Sequence, residues 1–152
     1  MNKQKTSGIS AIVWIALVTM ILWGGACFLS KPYYAVELER QSTGEKISIV
    51  YPAGVPDLFH DLYISIIPIA PEGTYCLCFF YKTQQQIAAD YALIVNCETL
   101  EMHVLTDRTK DPIEWWIYTD GIPTRVTNEE AKAYLDQLGF GTGSAVKHAI
   151  TI

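Results

Sequence analysis

Cys76, Cys78 and Cys97 carry the most reactive side chains in the middle of the chain. Cys76 and Cys78 are two residues apart, so on a strand they share a face, and Cys97 ends the strand expected to return beside them. If that hairpin turns near Gln86, Cys76 and Cys97 stand opposite one another and can oxidise in an exported domain. A thiolate metal site needs more ligands than these three cysteines supply, and no zinc spacing is present. No metal or cofactor is expected. His60, His103 and His148 are far apart in sequence. His60-Asp61 is the one pair in which a carboxylate could orient an imidazole for acid–base work, and a surface turn beside Pro56 accounts for it as well. Serine hydrolase elbows, phosphate-cradling glycine loops and calcium loops are absent, and Gly139-Phe140-Gly141-Thr142-Gly143 follows a helical pattern instead of opening one. An enzyme is not expected.

Trp115, Trp116 and Tyr118 point to binding. Consecutive strand residues face opposite ways, so the two indoles cannot enter one core. If one lies exposed, it is the kind of side chain that anchors a protein interface, and the nearby Asp111, Glu114 and Asp120 would frame it for a basic partner. The alternative has Trp115 under a helix and Trp116 covering a second face or lying near the bilayer.

These residues need a sheet to position them. Tyr34 to Glu39 alternates apolar and acidic side chains, Gln41 to Glu45 is a turn cluster, and Ile47, Ile49 and Tyr51 resume the alternation, which reads as a hairpin. Asp57 to Leu62 is at most a helical turn. Tyr63 to Ile69 reads as a strand that Pro68 places at an edge. Thr74 to Tyr81 and Ala88 to Cys97 are nearly unbroken apolar runs, expected at the centre of the sheet and covered on both faces. Met102 to Thr106 and Ile113 to Tyr118 are further strands, and Asp120-Gly121-Ile122-Pro123 turns the chain. Thr127 and Glu130 stand at capping-box spacing before Ala131, Tyr134, Leu135 and Leu138, which predicts a helix over 128–138 that stops at Gly139. Ala145 to Ile152 reads as a last strand or tail. The expected fold class is α+β, a small antiparallel sheet with one helix packed on a face.

The N-terminus sets the location. No charged side chain occurs between Lys5 and Lys31, and Ile9 to Leu29 is apolar apart from Ser10, Thr19, Gly24 and Gly25. As a helix this run would be roughly 31 Å long, enough for a hydrocarbon core of about 30 Å. Lys3 and Lys5 ahead of it place the N-terminus in the cytoplasm and the remainder outside. The chain then divides into an anchor or signal segment, 1–31, and an extracytoplasmic domain, 32–152. Cleavage after the small residues Gly24-Gly25-Ala26 is the competing reading. Leu22-Trp23-Gly24-Gly25-Ala26-Cys27 also resembles a bacterial lipoprotein signal, in that Gly25, Ala26 and Cys27 fit while Gly24 stands where an aliphatic residue is preferred. The resemblance implies lipidation of Cys27. All three readings export the domain.

Setting Lys3 and Lys5 aside takes the chain's net charge from −5 to −7 for the rest. Such a surface repels phosphate backbones, which argues against nucleic acid and favours a basic protein as partner. The expectation is a single-pass membrane protein, periplasmic in a two-membrane cell, that binds another protein. It would act as an accessory subunit of an envelope complex or as an immunity-type inhibitor. A small-ligand binder or an enzyme with a dispersed site is the alternative.

Overall fold

The computed structural model describes residues 32–69, 74–141 and 144–151. The predicted membrane helix and Cys27 lie outside the described residues. Among the described residues no helix is long and apolar enough to cross a membrane.

The chain enters as a hairpin, β1 (Tyr33–Glu39) and β2 (Lys46–Pro52), in the register Tyr34 opposite Tyr51 and Glu37 opposite Ser48. Gly44 closes its turn at φ 70°, a left-handed conformation that glycine adopts without strain. A single helical turn, α1 (Leu58–Asp61), follows, capped by the Asp57 carboxylate, which accepts the Phe59 amide at 3.2 Å. Six strands then run as an uninterrupted antiparallel meander. They are β3 (Tyr63–Ile69), β4 (Tyr75–Tyr81), β5 (Tyr91–Asn96), β6 (Met102–Asp107), β7 (Glu114–Thr119) and β8 (Ile122–Val126), and their order in space is their order in the chain. Two helices end the domain, α2 (Asn128–Gln137) and α3 (Ala145–Thr151).

The two apolar runs explain the layering. Alternate residues of β4 and β5 face opposite sides, and both sides are apolar, so both faces need a cover. Cys76, Cys78 and Phe80 of β4 with Leu93 and Val95 of β5 pack under the hairpin and α1, against Ile49, Tyr51, Val55 and Leu58. Leu77 with Ala92 and Ile94 packs under the helices, against Ala131, Leu135, Phe140 and Ile150. The fold is α+β as expected, but the single helix-covered sheet becomes three layers with two cores.

Three local expectations change. Ala145–Thr151 is helical, because Val146, Ala149 and Ile150 fall at i, i+3 and i+4 and reach the second core. The Ser144 hydroxyl accepts the Val146 amide at 3.2 Å at its start. Ile122–Val126 is a strand, where Pro123 suggested only a turn, since a missing N–H is harmless on an outer edge. Cys76 stands opposite Val95, two residues short of the expected register, yet it is disulfide-bonded to Cys97 with the Cα atoms 5.4 Å apart. Cys97 donates its amide to Thr74 at 3.1 Å, which carries the pairing past the end of β5 and brings the thiols within reach.

The bridge closes a short loop across the two central strands. In a full-length chain carrying Cys76→Ser and Cys97→Ser, its loss is expected to lower stability by about 3 kcal/mol, read as a lower denaturation midpoint. An unchanged midpoint would mean that the bridge adds nothing to the folded state.

Candidate functional site

Trp115 and Trp116 are 3% and 7% exposed, and they face opposite cores. Trp115 lies under α2 and Trp116 under the hairpin, so neither indole is the exposed anchor that the sequence allowed for. Tyr118 is buried beside Trp116 and donates its hydroxyl to the Val50 carbonyl at 2.7 Å, tying the hairpin to the sheet. Burial raises its pKa above the ordinary tyrosine range, as it does for Tyr51.

The acidic residues around this strand do not converge. Glu114 begins β7 and pairs with Arg125 of β8 at 2.6 Å, while Asp120 lies in the turn beyond the other end. Asp111 precedes Pro112 in a cis peptide and borders an open cleft of about 340 Å³ with Ile113, Trp115, Asn128 and Lys132. The basic Lys110, Arg125 and Lys132 share this region with Asp111 and Glu114, so its charge is mixed. Asp107 is buried, and its carboxylate accepts both the amide and the hydroxyl of Thr109, at 2.9 and 2.5 Å.

The other reactive side chains are also accounted for by local structure. His60 pairs with the capping Asp57 at 2.7 Å, not with Asp61, and helps close α1. His103 meets the Tyr75 ring edge-on at a centroid distance of 5.2 Å, with the Tyr134 hydroxyl 3.5 Å from its Nδ1. Its partial burial lowers its pKa, against the opposing pull of Glu101. His148 lies on α3, far in sequence from either. Among the described residues no group of His, Cys, Asp or Glu side chains could hold a metal ion. Cys78 is a free thiol buried in the first core, where loss of hydration pushes its pKa up to about 11.

What the domain leaves open is β3. Among the described residues its outer side has no strand beside it, and six of its seven residues are exposed. Tyr63, Ile64, Ile66 and Ile67 retain 50%, 39%, 54% and 47% of their accessible surface. No charged side chain occurs between Tyr63 and Ile69. The opposite edge, β8, is guarded by Pro123 near its start and by Arg125, devices that discourage added strands. On β3 the only such device is Pro68, near its far end, and the stretch from Tyr63 to Ile67 has none. Beside the start of β3, the loop after β4 forms the wall of a second cleft with Tyr81, Gln84 and Gln86. The Asp90 carboxylate braces this loop by accepting the Lys82 amide and the Gln86 side-chain amide, both at 3.0 Å. At its tip Ile87 is fully exposed.

The sequence signal for this surface was present in the uncharged, mostly apolar composition of 63–69 with its edge-marking Pro68. Periodicity alone does not say that both faces of that strand are bare. The chain matches no protein-family model, no curated protein and no solved structure.

Because the thiolate is the reactive form, Cys78 is expected to resist alkylation in the native protein at pH 8 and to react fully in denaturant. Mass spectrometry with iodoacetamide reads this directly. Rapid native labelling would place Cys78 outside the core.

Proposed function

We propose that this chain is a protein-binding module, held at a membrane by its N-terminal segment with its domain on the extracytoplasmic side, and that β3 is its contact surface. The observation that carries this reading is an uncharged apolar edge strand with no neighbour on its outer side among the described residues. Bare edges of this kind template the addition of another strand, through main-chain hydrogen bonds and pockets for alternate side chains. Covering a half-exposed isoleucine is worth on the order of 1 kcal/mol, so Ile64, Ile66 and Ile67 together favour a covered edge. The acidic balance of the domain favours a protein over nucleic acid as the bound class. An accessory subunit of an envelope complex and an immunity-type inhibitor are the two concrete forms of this reading.

Small-ligand binding has less support. The cleft between β2 and the ends of β6 and β7, lined by Ile47, Leu100, Met102 and Tyr118, holds about 220 Å³, below the roughly 300–1,000 Å³ of ordinary ligand sites. The clefts of about 340 Å³ are open to solvent, and the residues lining them are mostly polar or already paired.

The experiment is a crosslinking capture of the full-length tagged chain from its native membranes, beside the same chain carrying Ile66→Lys. Ile66 is the most exposed of the large apolar side chains of β3, so a charge there disturbs the edge without entering either core. A crosslinked species formed by the unaltered chain, and reduced at least tenfold by the substitution, is the expected result. Equal recovery from both chains would remove β3 as the contact surface.

A further inference from the structure

The exposed side chains of β3 divide by parity. Ile64 and Ile66 stand opposite Phe80 and Cys78 and so extend the hairpin-side layer, whereas Tyr63 and Ile67 stand opposite Tyr81 and Leu77 and extend the helix-side layer. Both layers end open along the same line. An added strand covers both at once, because its side chains alternate between the two faces. Pro68, opposite Cys76, has no N–H to give, and a proline in an edge strand keeps that side toward solvent. By the period of two, the amides of Ile64 and Ile66 face outward with it.

We propose that the strand completing this edge is β3 of a second copy of the chain, paired antiparallel about a two-fold axis at Ser65. The proposal rests on the reading of β3 as the contact surface. In this register Ile64 faces Ile66 of the second copy, and Tyr63 faces its Ile67. Each of the four exposed apolar side chains therefore meets another exposed one. The outward amides of Ile64 and Ile66 exchange hydrogen bonds with their opposite numbers. Pro68, unable to donate, falls at the outer ends against Leu62, where the backbone is still extended at φ −124° and ψ 155°. An axis at Ile66 would instead bring Pro68 inward against Ile64 and spend Tyr63 on Ile69, which is already buried. The strand carries no charge, so two domains of like net charge bring no like charges face to face there.

The place where the N-terminal segment joins the domain points to the same occupant. A two-fold axis relating antiparallel edge strands stands perpendicular to the sheet, so the hairpins of both copies lie on one side of the joined sheet. Tyr33, the first residue of β1, then arrives on that same side in both copies. Two chains anchored in one bilayer require this. Seven residues a side is well short of the roughly 20–30 of a standard interface. The pairing is therefore weak between free domains and strengthened by the effective concentration of copies confined to one membrane.

The test is disulfide trapping of the full-length chain in its own membranes, with Ser65→Cys and Ile67→Cys prepared separately and the unaltered chain giving the background from Cys27 and Cys78. At Ser65 the axis brings equivalent Cα atoms to about 4.5 Å, within the roughly 4.4–6.8 Å that a disulfide spans. Equivalent Ile67 positions lie four residues apart along the pair, roughly 13 Å, and cannot bridge. Mild oxidation is expected to give a reducible species of twice the monomer mass from Ser65→Cys, at least tenfold more abundant than from Ile67→Cys. Equal yields from the two variants would overturn the proposed pairing. A reducible adduct of Ser65→Cys with a different protein would overturn the second copy as occupant while sustaining β3 as a contact surface. No adduct from either variant would overturn both.

Discussion

The rest of the domain depends on β4 and β5 being apolar on both faces. A strand in a two-layer protein can leave one face to water, but Cys76, Cys78, Phe80, Leu93 and Val95 on one side and Leu77, Ala92 and Ile94 on the other all need cover. The hairpin and α1 meet the first demand, and α2 and α3 meet the second. The Cys76–Cys97 bridge fixes the two strands together at one end. The Tyr118 hydroxyl holds the hairpin over its face through Val50, and the Arg40 guanidinium reaches from the hairpin turn to the Glu98 carbonyl. Both hydrogen bonds join layers, and the part-buried one from Tyr118 makes relative sliding of the hairpin over the sheet costly.

Much of this was legible before any coordinates. The alternation over 34–39 and 47–51 placed the hairpin, the two long apolar runs placed β4 and β5, and Thr127 with Glu130 announced a capping box that the structure contains. The register of the cysteine hairpin was off by two residues because a polar loop of that length does not declare where it turns. Ala145–Thr151 misled because Val146, Ile150 and Thr151 favour strands as isolated residues, while packing against the second core selects the helix. Trp115 and Trp116 had to face opposite ways; that both faces were cores depended on the hairpin folding back over the sheet, a long-range contact that periodicity does not encode. Asp111, Glu114 and Asp120 are neighbours in sequence but are separated by the length of β7 or matched by basic side chains.

The same three-layer plan explains why the bare edge, the proposed contact surface, falls on β3. The meander has two outer strands, and each carries a proline. In β8 the proline sits near the start of the strand and Arg125 follows it; in β3 it sits near the far end and leaves five consecutive residues without a guard. Neither core buries the three exposed isoleucines and the tyrosine of this strand, which stand where both layers end. Apolar side chains that neither core covers and that are costly to leave in water are what a contact surface requires.

Residue-resolved hydrogen exchange on the full-length protein, dilute in detergent so that copies stay apart, tests the central claim of an unpaired β3 edge most directly. The account predicts alternation along the strand, with the outward amides of Ile64 and Ile66 exchanging fast and those of Ser65 and Ile67, bonded to β4, exchanging slowly. Equal, strong protection of Ile64 and Ile66 in the separated protein would contradict it, since the edge would then already be covered within a single chain.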